Sequence, residues 1–311
     1  MKKGATKKAR VRVPGSTSNL GAGFDCVGVA VDRWLTASVV VGNGGSGVTM
    51  KRSGANEGIA LKPEDDLVHT GFRLACDACA APVPDALDYD VSSTIPVARG
   101  LGASAAAIVA GAFLARGALG LDLGSDAIAT LCAREEGHPD NAGPSVFGGA
   151  VLGIPTQNAA SAWAFSELRI HHGITLVFAV PELEVLTSEA RAVLPKSVPH
   201  LTAVRAAAKA AALIEGLSSG DGALLAFALD DVLHVPFRRQ LIPGYDEVVA
   251  AATGAGAFGA TLSGSGSTLV AIAPRAAAAY VGSAMQAAWK SHDQTAEVIV
   301  SDRMVEGAAL E

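Results

Sequence analysis

Apolar residues alternate with polar ones, or run together briefly, over residues 9–14, 35–41, 48–52, 89–93, 149–154, 174–180, 267–273 and 296–301. This period-two or short continuous patterning predicts strands. Helical spacing, with apolar positions three and four apart, covers 67–80, 103–119, 125–136, 201–217, 223–233 and 275–290. Gly42-Asn43-Gly44-Gly45 separates the second and third strands and predicts a hairpin between them. The early strands follow one another and the later helices are grouped, without strict β-α alternation. That order predicts an α+β fold. A polar stretch over 156–166, including Asn158, is the expected boundary and divides the chain into 1–160 and 161–311.

The chain has 311 residues, enough for two domains of ordinary size. Half the residues are apolar and 17% are charged, so a sizeable core is available. Mean hydropathy is +0.35, raised largely by alanine. No run approaches the roughly 20 apolar residues of a spanning helix, so no membrane association is expected. A net charge of −6 with 24 basic residues argues against a nucleic-acid partner. Lys2, Lys3, Lys7, Lys8, Arg10 and Arg12 crowd the N-terminus, but Pro14 and Gly15 stand where a signal peptide needs its apolar segment. A solvated tail and a cytoplasmic protein are the expectation. Cys76-x-x-Cys79 lies in a helical pattern with no second pair at metal-ligand spacing, which predicts packed cysteines rather than a zinc or redox site.

Residues 95–107, Ile-Pro-Val-Ala-Arg-Gly-Leu-Gly-Ala-Ser-Ala-Ala-Ala, follow a strand and enter the alanine-rich helix directly. Gly100 and Gly102 permit a tight turn, and the first helical N–H groups face an opening with only small side chains around it. Such an end attracts phosphate. No Gly-Lys-Ser/Thr occurs, so this is not a Walker loop. The acidic partner of a dinucleotide fingerprint would be Asp122, which stands in a helix-to-helix turn. Two more segments share its character: Pro14-Gly-Ser-Thr-Ser-Asn-Leu-Gly-Ala-Gly-Phe-Asp25, and Leu262-Ser-Gly-Ser-Gly-Ser267. Glu135-Glu-Gly-His-Pro-Asp-Asn141 adds a density of chemistry-bearing side chains at a helix end.

These segments, in this order, resemble the three motifs of the GHMP kinases. Glu-Gly-His-Pro-Asp-Asn, Thr187-Ser-Glu-Ala-Arg-Ala-Val-Leu-Pro195 and Val235-Pro-Phe-Arg-Arg-Gln-Leu-Ile-Pro-Gly244 are similar to the homoserine kinase branch. The resemblance covers residues 10–300 or so. It implies a ribosomal-protein-like N-terminal domain, a ferredoxin-like C-terminal domain and transfer of the ATP γ-phosphoryl to the hydroxyl of L-homoserine. It further implies ATP and Mg²⁺ at the site, small molecules as the only substrates, and the homodimer common in the family.

By that resemblance Pro96, Arg99, Gly100, Leu101, Gly102, Ala103, Ser104, Ala105 and Ala106 wrap the triphosphate, with Ser263, Gly264, Ser265 and Gly266 alongside. Ser104 and Glu136 hold the metal. Asn19 and Asp25 receive the substrate ammonium, Thr187 lies by the substrate, and Arg191 and Arg238 clamp its carboxylate, with Arg239 a rival to Arg238. His138 contacts substrate near its hydroxyl. Asp140 and Asn141 position it, the alternative being Asp140 as general base. Three positions depart from the family. Ala103-Ser104 replaces a Ser-Ser pair, Gly266-Ser267 replaces Gly-Pro, and Asp66 stands where an adenine-contacting Asn is usual. A carboxylate accepts hydrogen bonds but cannot donate them. A kinase for a sugar or mevalonate and a non-catalytic sensor on the same fold are the competing readings.

Overall fold

A computed structural model describes residues 7–42, 46–157, 162–301 and 303–311. Its strands are β1 (Lys7–Asn19), β2 (Gly23–Val41), β3 (Gly47–Gly54), β4 (Ala86–Ser93), β5 (Ala150–Pro155), β6 (Trp163–Leu168), β7 (Ile174–Pro181), β8 (Gly259–Leu262), β9 (Leu269–Pro274), β10 (Ala296–Ser301) and β11 (Ala309–Leu310). Its helices are α1 (Leu67–Ala78), α2 (Ala103–Leu119), α3 (Ser125–Glu136), α4 (Ala142–Phe147), α5 (Thr187–Ala192), α6 (His200–Ser219), α7 (Gly222–Leu229), α8 (Val235–Arg238), α9 (Tyr245–Gly254) and α10 (Ala278–Lys290).

The first sheet runs β11-β1-β2-β4-β3, with β5 on β2 and β6 on β5. The second runs β10-β7-β9-β8 and is antiparallel throughout. Helix α2 explains how the first layer closes. Its residues are apolar nearly all round, and eleven of them are buried, Ile108, Val109, Phe113 and Leu114 among them. A helix with no polar face belongs inside. It lies against β1 and α1, where Phe72, Ala75 and Cys76 join the same core. The second sheet has its own core with α9 and α10, centred on Val248, Val281, Met285 and Trp289. Each fully buried side chain of Leu or Phe size stabilises by about 2 kcal/mol.

The α+β expectation holds, and several strands differ in detail. The hairpin between β2 and β3 does not form: β3 pairs with β4 in parallel, and β2 pairs with β4 antiparallel. Parallel neighbours need a crossover, and α1 supplies it. Asn43, Gly44 and Gly45 of the expected turn lie outside the described residues, as do Lys2, Lys3 and Asn158. Strand β6 pairs with β5 inside the first sheet. The expected division at residue 160 therefore falls between two paired strands, and the second sheet begins only at Ile174. The chain then returns at its far end, where β11 adds to β1. Cys76 is buried and Cys79 caps α1, both as free thiols.

Candidate active site

The three glycine-rich segments meet at one place because their backbones bond to one another. Ser16 N–H donates to Leu101 O at 3.0 Å, and Gly264 N–H to Ser18 O at 3.0 Å. Ser263 Oγ donates to Gly100 O at 2.7 Å, and Asn19 Nδ2 to Gly264 O at 2.7 Å. Gly100 and Gly102 both adopt left-handed backbone, at φ 72 and 68. A Cβ on Gly100 would fall 2.0 Å from Ser263 O. Glycine is thus required for the close approach as well as for the turn. Gly102 starts α2 without any side-chain cap, and the first intrahelical bond is Ala106 N–H to Gly102 O. The N–H groups of Ala103, Ser104 and Ala105 are left without partners in the helix, at its positive end.

That end opens into a cavity of about 510 Å³ between the two sheets' layers. Its walls bring together Asn19, Asp25, Asp66, Pro96, Gly100, Leu101, Gly102, Ala103 and Ser104 with Glu136, His138, Asp140, Asn141, Thr187, Arg191, Arg238, Gly264 and Ser265. Most of the expected site residues are therefore gathered in one cavity. Others stand back from it. Ala105 and Ala106 are fully buried behind the loop. Ser263 and Gly266 shape the third segment without lining the cavity. Arg99 turns away to pair with Glu184 at 3.2 Å. Arg239, just past the end of α8, pairs with Asp246 at 3.1 Å and does not line the cavity, so Arg238 is the one that faces it.

Ser104 Oγ donates to Glu136 Oε1 at 2.6 Å. Glu136 Oε2 is buried and has no hydrogen-bond partner. Burial raises the carboxyl pKa above its ordinary value, outweighing the opposing His138 and Ser104 contributions. A hydroxyl oxygen beside an unsatisfied carboxylate oxygen suits a hard divalent cation such as Mg²⁺. Asp25, His138 and Asp140 also offer ligand atoms within 4.8 Å of one another. That trio fits a cation less well, because Arg191 already holds Asp25 through both carboxylate oxygens, at 3.0 and 3.2 Å.

His138 Nδ1 and Asp140 Oδ1 are 2.6 Å apart, and both residues are buried. Burial alone would favour the neutral ring, but the Asp140 hydrogen bond and the charges of Asp140 and Glu136 outweigh it and raise the His138 pKa. Asn141 uses its amide on the first segment, accepting from Ser16 Oγ at 3.0 Å and donating to Ser18 Oγ at 3.2 Å. Asn19 is similarly engaged, accepting from Asp25 N–H at 3.0 Å. Arg238 is 2% exposed. Its Nε donates to Ala190 O at 3.1 Å and its Nη1 to Gly264 O at 3.3 Å. No carboxylate pairs with it directly among the described residues, and burial lowers its pKa to about 10. A buried cation held only by neutral acceptors is costly unless an anion joins it.

Asp66 caps α1 by accepting from Val68 N–H at 2.8 Å, and its other oxygen takes Arg52 Nε and Nη2 at 3.0 and 2.8 Å. Arg52 was not foreseen, nor were Asn56, Ile59 and Leu61, which complete this wall of the cavity. No motif marks the loop that carries them, and only the pairing of β3 with β4 brings it to the site.

The match to known proteins follows this geometry. The GHMP kinases N terminal domain matches residues 66–149, and the GHMP kinases C terminal domain matches 213–291. The chain is 37% identical to the homoserine kinase of Nostoc punctiforme over 288 residues, 93% of this chain and 93% of that one. It is 39% identical to that of Gloeobacter violaceus over 290 residues, covering 90% and 92%. This chain belongs to the homoserine kinase branch of the GHMP kinases. A crystal structure of homoserine kinase from Cytophaga hutchinsonii superposes with a TM-score of 0.86 at 26% identity, over 100% of this chain and 99% of that one. Mevalonate kinase from L. major shares the fold alone, with a TM-score of 0.66 at 15% identity over 95% of each chain. As a GHMP kinase of this branch, the chain is an ATP-dependent kinase acting on a hydroxyl. No helix among the described residues is long and apolar enough to cross a membrane.

Proposed function

We propose that this cavity binds Mg-ATP against the α2 N-terminus and L-homoserine between Asp25 and Arg238, yielding O-phospho-L-homoserine and ADP. The observation that carries the residue assignment is Arg238: a buried guanidinium with neutral partners on two sides and the cavity on another. A neutral sugar would leave that charge uncompensated, whereas an amino-acid carboxylate satisfies it. The ammonium end goes to Asp25, displacing the guanidinium of Arg191, which then turns to the carboxylate.

The hydroxyl oxygen forms the new bond to the γ-phosphorus as the β,γ-bridging P–O bond breaks. Catalysis of this kind rests on positioning and charge compensation. The free N–H groups of residues 103–105 hold phosphate oxygens. Ser104 and Glu136 would hold Mg²⁺, which when bound supplies positive charge to the phosphate oxygens. His138, kept in place by Asp140, orients the hydroxyl, and the hydroxyl proton passes to a phosphoryl oxygen. Asp66 and Arg52 shape the nucleotide end. The same reading places the enzyme in the cytoplasm, with small molecules as its substrates and a homodimer as its assembly.

Release of ADP from Mg-ATP by the purified chain tests this, with L-homoserine compared against mevalonate, galactose and no acceptor. Homoserine-dependent release is expected. Release stimulated only by another acceptor overturns the carboxylate assignment, and binding of nucleotide without any stimulation overturns the reaction.

A further inference from the structure

Behind the Arg238 guanidinium lies a buried polar relay built from Asp231 and His234. Asp231 is 5% exposed, and its Oδ2 accepts from the N–H groups of Leu233, His234 and Val235 at 3.0, 2.6 and 2.9 Å. Three charge-assisted bonds pin the start of α8, a helix of only four residues that has little stability of its own. His234 stands at the N-cap of α8 and Arg238 one turn later, so the two side chains share a face.

The His234 ring is completely buried. One nitrogen, Nε2, lies 3.2 Å from Gly21 O, an acceptor only, so Nε2 carries the proton and donates. The tautomer is thereby set, and Nδ1 is left with its lone pair. That lone pair faces Arg238 Nη1 at 3.4 Å and accepts from it. Burial holds the ring neutral by lowering its pKa to about 4, which outweighs the opposing charge of Asp231. A protonated ring would have no lone pair to offer and would repel the guanidinium. Phe24 completes the cage. Its ring stacks on His234, with centroids 4.8 Å apart and planes 18° apart, and lies 5.1 Å from the Arg238 guanidinium carbon. Phe24 directly precedes Asp25, so the strand that carries the acidic end of the cavity also braces the basic end.

We propose that His234 is a positioning residue for the carboxylate end of the acceptor site. Its Nδ1 lone pair fixes the plane and depth of the Arg238 guanidinium. Ala190 O, Gly264 O and His234 Nδ1 together engage Nε and Nη1, leaving Nη2 for the ligand. The inference rests on the proposed role of Arg238 and adds to it the group that orients it.

The amide substitutions separate the two ring nitrogens. In His234→Asn the side-chain oxygen falls near the Nδ1 position and can still accept from Arg238. In His234→Gln the amide reaches the Nε2 position and can still donate to Gly21 O, but leaves Arg238 without this acceptor. Steady-state kinetics of the full chain with Mg-ATP and L-homoserine supply the readout. The KM for homoserine is expected to rise about 10-fold or more in His234→Gln and His234→Leu and clearly less in His234→Asn, with the KM for ATP unchanged in all three. Should the leucine variant fail to fold, the Asn and Gln pair carries the comparison. Arg238→Leu is assayed beside them. If it raises the homoserine KM while His234→Gln does not, the positioning role is overturned and the carboxylate assignment stands. If Arg238→Leu leaves the homoserine KM unchanged, the assignment and the positioning role both fall. Equal losses in both KM values and kcat for Asn and Gln, with matching drops in melting temperature, mark a structural histidine and overturn the proposal.

Discussion

Arg191 and Asp25 face each other across the cavity through two nearly parallel bonds, Nη2 to Oδ1 at 3.0 Å and Nη1 to Oδ2 at 3.2 Å. In the proposed reading these residues serve opposite ends of one zwitterion, and here they compensate each other. The acceptor's ammonium must take over Asp25 as its carboxylate takes over the guanidinium. Both side chains are about one-third exposed, so solvent screens the pair and it opens at modest cost. Arg191→Ala is expected to raise the homoserine KM about 10- to 100-fold, the weight of one charge-assisted contact, and to leave the ATP KM within about threefold. Arg239→Ala is the matched control, since that side chain faces Asp246, and neither constant should move. A shift in ATP KM as large as that for homoserine would remove Arg191 from the acceptor site.

Glu136 gives a separate test, because an unpartnered buried oxygen is a liability unless a cation occupies it. Glu136→Ala should cut kcat by at least about 100-fold, in line with several kcal/mol of charge stabilisation. Its melting temperature should stay near that of the parent, since the carboxylate removed was incompletely bonded. Mg²⁺ with nucleotide should raise the melting temperature of the parent by mass action and have a much smaller effect on the variant. An equal Mg²⁺-dependent rise in both would place the metal elsewhere.

Gly100→Ala tests the stitching of the loops. The added methyl meets the Ser263 carbonyl at 2.0 Å, in a backbone region with φ of 72. Strain of about 1–3 kcal/mol from the backbone alone is expected, before the loops are forced apart. Urea unfolding should show that loss, and nucleotide binding should weaken with it. Unchanged nucleotide affinity would mean that the second and third segments need not touch.

Asp140→Asn distinguishes positioning from base catalysis. As the anchor of His138, Asp140 should cost about 10- to 100-fold in kcat when replaced, with the acid limb of the pH–rate profile still present though shifted as His138 loses the partner that raises its pKa. A fall beyond about 1,000-fold, with the acid limb of the profile gone, would give Asp140 the proton.

His234 carries a prediction about stability and pH. Its pKa is about 4 in the folded chain and 6.5 in the unfolded one. Between those values the unfolded chain binds the extra proton, so stability is lost as pH falls from about 6.5 towards about 4. The slope approaches about 1.4 kcal/mol per pH unit, the full weight of one titrating group. Urea midpoints measured across that window should fall less steeply for His234→Asn than for the parent. Parallel curves would mean that the ring titrates normally in the fold.

Which parts of this were legible in the sequence follows from range. The segments at 14–25, 95–107 and 262–267 could be read because each is a continuous run whose backbone needs are written in glycine and small residues. Helices α2 and α3 were readable end to end, since each is a long run of helix formers flanked by glycine. Strand β8 has four residues and β6 alternates weakly among half-exposed positions, so neither period is established before the chain turns. The parallel pairing of β3 with β4 is invisible locally because the 31 residues between Gly54 and Ala86 hide it, long enough for a crossover, and Gly42-Asn43 invites a nearer solution. Arg52, Asn56 and His234 were missed for the same reason. Their roles come from Asp66, the cavity wall and Arg238, partners fixed only once α1, β4 and α8 are in place.

The segment after β10 runs back over the first sheet. Gly149 N–H donates to Val305 O at 2.8 Å, Ala308 N–H to Ser145 O at 3.0 Å, and Glu311 N–H to Arg10 O at 2.9 Å. Residues from opposite ends of the sequence are therefore joined in one ladder, with Val11 opposite Leu310. On a ribosome the phosphate-binding layer emerges first yet lacks this edge until the second sheet's residues have been made. Contacts of such sequence separation slow folding, and a nascent chain must hold the edge of β1 at Val11 and Arg12 unpaired until residues 309–310 arrive.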